Sequence, residues 1–359
     1  MIRFRFLVLA AFAVVHTAAF ADDHAPSVVS APVGYVATPC LGGSDTMVSI
    51  PFHLPPVWAG LLAAEPSSNG AGTMLSLTGD PEFTADQLLE QPHYLLVGSG
   101  SDMEGAWFEI LGNDEDSISI DAEPADLDGV QEGDRLMIVP HWTLAGLLPP
   151  GSQQTVYLSE GVLLTQRGTE LLFFDRGSTG VQLAPNRKFF LTVGGWLEVA
   201  DDFPSAGEVV VLPGQMFVIR HPEGAPDTVF VAKQQVFTGA FLQPLRRAAG
   251  TPQDNALAPP RPVPVRLDAL DLDADVFVVS PSTDPEVRMD ELLVYDNAAA
   301  AINKQPSAVY FRTPEGWVRD AEGFPAADNI TVDGAQGLVV RKAAGPDDAT
   351  LRWLNVPRY

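Results

Sequence analysis

Residues 155–220 align without a gap onto residues 276–341, 121 positions later. Ser159 meets Ser280, Arg167 meets Arg288, and Glu170-Leu171-Leu172 meets Glu291-Leu292-Leu293. Asp175 meets Asp296, Trp196 meets Trp317, and Phe203-Pro204 meets Phe324-Pro325, while Gln215 and Arg220 meet Gln336 and Arg341. Where identity fails, apolar character persists, as in Phe217-Val218-Ile219 against Leu338-Val339-Val340. A long ungapped self-match that keeps a tryptophan reads as one structural unit present twice. The chain is thereby restricted to folds in which that unit sits in tandem or packs about a pseudo-two-fold axis.

Each unit is written in short β-branched and aromatic runs. In the first they fall at 155–158, 162–164, 170–174, 188–193, 209–212, 216–219 and 228–232. The second has them at 276–279, 292–295, 308–311, 316–318, 337–340 and 350–353. Gly and Pro number 31 each, a density of punctuation that suits strands joined by turns rather than helices. Helical turns are expected only at 84–89, 267–272 and 298–301. Upstream, runs at 94–97, 106–111 and 134–139 and the strict alternation Ser117-Ile118-Ser119-Ile120 predict a small β-barrel or sandwich. The expected fold class is therefore all-β, with an N-terminal module over 22–150 and a first repeat over 151–245. A Pro-rich connector and a second repeat occupy 246–359. Residues 248–264 read equally as a linker or as the start of the second repeat.

Met1-Ile2-Arg3-Phe4-Arg5, the apolar run 6–15 and Ala19-Phe20-Ala21 together have the form of a secretory signal peptide over 1–21. The run is shorter than the ~20 residues a membrane span needs, and no later stretch is long enough, so no membrane span is expected. The expected destination is the periplasm, the cell surface or the medium. Lys and Arg total 21 against 46 Asp and Glu, a net charge of -25, which repels nucleic-acid phosphates. A single cysteine, Cys40, allows no internal disulfide, so packing must hold the fold.

With Pro32-Val33-Gly34-Tyr35, Gly43-Ser44-Asp45-Thr46, Ser49-Ile50-Pro51-Phe52, Gly133-Asp134, Trp142-Thr143, Leu148-Pro149-Pro150-Gly151, Leu172-Phe173-Phe174-Asp175 and Gly195-Trp196 in view, the chain resembles a family of uncharacterised secreted proteins best known from Verrucomicrobia-type bacteria. The resemblance spans most of the mature chain and implies an exported β-rich protein. Its residues are turns and strands, so it supplies no active residues.

No metal-ligand spacing links the six histidines, and there is no nucleophile elbow, Walker loop or dinucleotide fingerprint. No cofactor is expected. The acidic residues 113–116, 121, 126 and 128 and the alternating Asp271, Asp273 and Asp275 read as solvated loops rather than a calcium site. Arg220 and Arg341 invite pairing with the repeated Asp175 and Asp296. Trp196 and Trp317, each after a glycine, fill equivalent interiors or, if exposed, form two sugar-stacking platforms. The function expected is that of an exported, non-catalytic structural or interaction protein with a protein or glycan partner. The alternatives are a carbohydrate-binding protein using Trp196 and Trp317, and a secreted hydrolase with an unsignalled site.

Overall fold

The computed structural model describes residues 31–68, 70 and 72–359. The expected signal peptide lies outside the described residues.

Strands β1 (Val33–Cys40), β2 (Asp45–Val48) and β3 (Phe52–His53) come first. Next come β4 (Trp58–Leu61), β5 (Ser67–Ser68), β6 (Thr73–Ser76), β7 (His93–Val97), β8 (Trp107–Asn113), β9 (Ser117–Ile120) and β10 (Arg135–Pro140). These seven form one antiparallel sheet in the order β4-β10-β7-β8-β9-β6-β5. A bulge between Ile110 and Gly112 bends β8, and the sheet curls around Leu75, Leu95, Ile118, Ile120 and Ile138.

The first unit continues with β11 (Trp142–Thr143), the single-turn helix α1 (Leu144–Leu147), β12 (Glu170–Phe173), β13 (Arg187–Thr192), β14 (Gly195–Glu198), β15 (Val210–Val211), β16 (Phe217–Arg220) and β17 (Thr228–Val236). The second holds β18 (Phe241–Arg247), β19 (Gln253–Leu257), β20 (Val265–Arg266), β21 (Glu291–Val294), β22 (Ala308–Thr313), β23 (Gly316–Arg319), β24 (Thr331–Val332), β25 (Leu338–Lys342) and β26 (Ala349–Asn355). The fold class is all-β.

Two five-stranded antiparallel sheets share one plan, β14-β13-β12-β16-β2 and β23-β22-β21-β25-β19. Their registers match as well. Glu170 faces Phe190 and Arg220, and Glu291 faces Phe311 and Arg341. Local geometry repeats down to strained backbone. Phe203 and Phe324 hold φ of 48° and 45°, a region bulky residues avoid. Each sets its ring edge-on to a neighbour, Phe190 or Phe311, at 6.2 Å. Arg167 and Arg288 lie over those same neighbours and bind Glu170 and Glu291.

The sheets do not follow a boundary at residue 150. Strand β2, from the start of the chain, supplies the edge of the first sheet, in the place β19 takes in the second. The seven-stranded module thus interrupts the first unit between β3 and β11. Residues 253–257, inside the Pro-rich stretch, are themselves a sheet strand, so 248–264 belongs to the second unit. The runs 155–158 and 276–279 are not strands. Amides in these runs and just after them are taken by side chains and distant carbonyls: Tyr157 N–H by Thr169 Oγ1, Ser159 N–H by Leu191 O, Val278 N–H by Asp290 Oδ2 and Ser280 N–H by Arg312 O. The helical turns shrink to 3-10 turns at Gln87–Leu89 and Leu267–Ala269, and 298–301 is irregular.

All four residues of β12 are buried because its sheet is covered on both faces. Leu171 and Phe173 point into a core with Phe189, Trp196, Phe217, Ile219 and Phe230. Leu172 points the other way, into a second core where Met47, Met216 and Val218 meet Leu293 and Val339 of the other sheet. A sheet buried on both sides reads as a continuous apolar run.

Candidate functional site

The two tryptophans lie inside the protein. Trp196 is 1% exposed and Trp317 4% exposed, each in the core of its own unit. The Trp196 indole N–H donates to Leu148 O at 3.0 Å, and Trp317 packs on Phe277 with ring centroids 5.0 Å apart. Stacking a sugar needs an open ring face, and neither indole has one, so the platform expectation at Trp196 and Trp317 is overturned.

The repeated arginines do not reach Asp175 or Asp296. Arg220 instead grips Asp45 with two hydrogen bonds (2.6 and 2.7 Å), and Arg341 grips Asp254 (2.7 and 3.1 Å). Cross-strand register puts these partners directly opposite each other at the sheet edge. The carboxylate bonds hold both guanidiniums above their ordinary pKa. Asp175 and Asp296 instead cap their own loops, binding the amides of Gly177 and Ala298.

Each aspartate also receives an amide from the other unit. Asn303 N–H donates to Asp45 and Gln182 N–H to Asp254, both at 2.7 Å. Gln182 and Asn303 are counterparts 121 residues apart, and both adopt the left-handed conformation, with φ of 53° and 54°. In return, Asp45 N–H donates to Ala301 O and Asp254 N–H to Gly180 O. The long loop of each unit therefore clips the edge strand of the other, which removes two edges that would otherwise pair with foreign strands.

Between the two clips lies a cleft of about 440 Å³. Leu172, Val218, Leu293 and Val339 line it with Phe174, Tyr295, Lys304 and the two Asp–Arg pairs. Burial, aided by Asp254, pushes the Tyr295 phenol up to about 12. The Lys304 ammonium donates to Asp296 O at 2.9 Å, and among the described residues it has no carboxylate partner. Burial holds its pKa below the ordinary lysine value.

A second feature is the β1/β17 ribbon. Val236 N–H donates to Pro32 O, which sets the alternation along β1. Gly34, Val36 and Thr38 turn their backbone groups to β17, and Val33, Tyr35 and Ala37 turn theirs outward. Among the described residues nothing pairs with that outward edge. The side chains of Val33 (69% exposed), Tyr35 (74% exposed), Ala37 and Pro39 join Val229 and Val231 in an exposed, mainly apolar face that also carries Lys233 opposite Tyr35.

The β18/β26 ribbon is its counterpart, because Ala232 and Trp353, 121 residues apart, face Val36 and Gln243. There the outward edge is occupied. Leu242 N–H donates to Gly105 O (2.8 Å), and Leu242 O accepts from the Trp107 indole (3.2 Å). Arg246 exchanges two bonds with the Asn255 side chain. The seven-stranded module covers one ribbon and leaves the other open. Sequence reading missed this edge, because Val33–Cys40 looks like any amphipathic strand until its neighbours are known.

Among the described residues, no group of three or more His, Cys, Asp or Glu is placed to hold a metal ion. Asp271 is bound by Arg261 and Arg358, and Asp273 caps the amides of Asp275 and Val276, so the alternating acids share no face. No helix among the described residues is long and apolar enough to cross a membrane. Comparison with protein families, curated proteins and solved structures finds no match to this chain.

Proposed function

We propose that this is an exported, non-catalytic interaction protein of the cell envelope or exterior, which takes an extended strand of a protein partner onto the outward edge of β1. The signal-like leader supports export, and the resemblance to secreted β-rich proteins agrees with it. The matched sheets fit a duplicated ancestral unit. The observation that carries the reading is the contrast between the two ribbons. At Leu242 and Arg246 the molecule meets the need for backbone partners with its own module and Asn255. At Tyr35 and Ala37 the same need is open, beside an apolar face. Strand addition satisfies such an edge through main-chain bonds and draws specificity from alternate side chains.

The test uses a photo-crosslinking amino acid at Tyr35 in the producing cell, compared with one at Val193, an exposed hairpin tip. The expected result is one discrete adduct from position 35 and none from 193. Ala37→Pro places at β1 the residue that Pro244 supplies in β18, so the fold tolerates it, and it deletes an outward N–H. It should abolish the adduct while leaving the melting temperature within ~2 °C. An adduct with the mass of two copies would identify the partner as a second copy of this chain. An adduct that survives Ala37→Pro contradicts strand addition.

A further inference from the structure

The cleft between the units is symmetric in its floor and asymmetric in its walls. Counterparts 121 residues apart form the floor, Leu172 with Leu293 and Val218 with Val339. The Asp45–Arg220 and Asp254–Arg341 pairs at its two ends oppose each other in charge, each arginine giving Nε and one Nη to its aspartate. Three loop positions depart from symmetry in one direction, while Val309 stands where the first unit has Lys188. Phe174, Leu183 and Ala184 on the first unit's loop become Tyr295, Lys304 and Gln305 on the second's. The first wall is apolar but for the Gln182 amide, and the other carries a phenol, an ammonium and the amides of Asn303 and Gln305.

The charges lining the cleft are three cations against two anions, in a chain of net charge -25. Lys304 is the cation without an ion pair, attracted from a distance by Asp296 and Asp45, and its only hydrogen-bond partner among the described residues is a carbonyl oxygen. A cleft of about 440 Å³ is in the range that holds small molecules. We infer that it binds an amphiphilic monoanion, its apolar body against the Phe174 wall and floor and its singly charged head at Lys304, as a medium-chain fatty-acid anion would sit. A doubly charged head is disfavoured, because the Nε/Nη2 side of each guanidinium already binds a carboxylate. This inference is independent of the β1 edge and stands or falls without it.

The test is calorimetric titration of the mature chain with decanoate, 1-naphthoate and uncharged 1-decanol. The expected result is saturable 1:1 binding of decanoate, on the order of tenfold tighter than decanol. Lys304→Leu installs the residue that Leu183 supplies in the first unit. It should bring decanoate down to the decanol level and leave decanol unchanged, and Lys304→Arg should restore the preference. Naphthoate binding more tightly than decanoate would assign an aryl rather than an alkyl body within the same class. Absence of saturable binding by either carboxylate overturns the inference, as does a Lys304→Leu protein that binds decanoate undiminished. Equal affinity for decanoate and decanol on the unsubstituted protein overturns it too, with no question of folding attached.

Discussion

Asp290→Ala is expected to destabilise the protein by about 3–5 kcal/mol, the cost of stranding a buried charge. The Lys342 side chain is fully buried, and its ammonium is held by Asp290 and by Val276 O. Asp290 also takes the amides of Val278 and Ala343, each at 2.7 Å, so its loss frees three donors at once. Burial outweighs the attraction of Asp290 and pulls the lysine below its ordinary pKa.

The first unit handles the same place without charge. His221 and Thr169 occupy the positions 121 residues earlier, joined at 2.7 Å, and His221 passes a second 2.7 Å bond to Thr228. The double change Asp290→Thr with Lys342→His should therefore recover part of the loss by removing the buried charge, the remainder reflecting the Ala343 amide, where the first unit has Pro222, and the missing counterpart of Thr228, which is Ala349 here. Urea unfolding of the single and double variants reads both effects. A single-variant loss under about 1 kcal/mol would mean that the ammonium reaches water.

Trp196→Ala and Trp317→Ala should each cost about 3–5 kcal/mol, the range for removing a large buried aromatic. Trp196 is expected at the upper end, because its removal also orphans Leu148 O inside the core. Thermal unfolding of the two variants measures the difference. An exposed platform would lose only about 0.5 kcal/mol, so the size of the effect separates core from surface.

Much of the strand layout was legible because burial and strand spacing leave a mark on residue type. The runs at 170–174, 188–193 and 216–219 are strands β12, β13 and β16, and their counterparts 121 residues later are β21, β22 and β25. The runs at 155–158 and 276–279 misled for the same reason. Val156 and Phe277 are apolar because they are buried, and apolar character says nothing of where the amide goes. Strand β19 was hidden by its polar residues. Gln253 and Asp254 are satisfied by the first unit's loop at Gly180 and Gln182, and Asn255 by β18, all contacts distant in sequence. The Asp45–Arg220 and Asp254–Arg341 pairs were obscured by the offset between partners. The repeat spacing holds within 155–341, whereas β2 is separated from its unit by a whole module. The cleft had no local signal, because its two walls are loops that acquire a shared volume only when the sheets meet.

Residue-resolved amide hydrogen exchange of the free protein tests the central claim, that the two matched sheets tie off each other's edges and one ribbon edge stays open. Slow exchange is expected at Asp45 and Asp254, whose amides are held by the opposite unit, and at Leu242 and Arg246 on the covered ribbon. Exchange faster by a factor of about 100 or more is expected at Val33, Tyr35 and Ala37, since outward amides on an open edge need no opening event. Protection at Tyr35 equal to that at Leu242, or free exchange at Asp45 and Asp254, would contradict the claim.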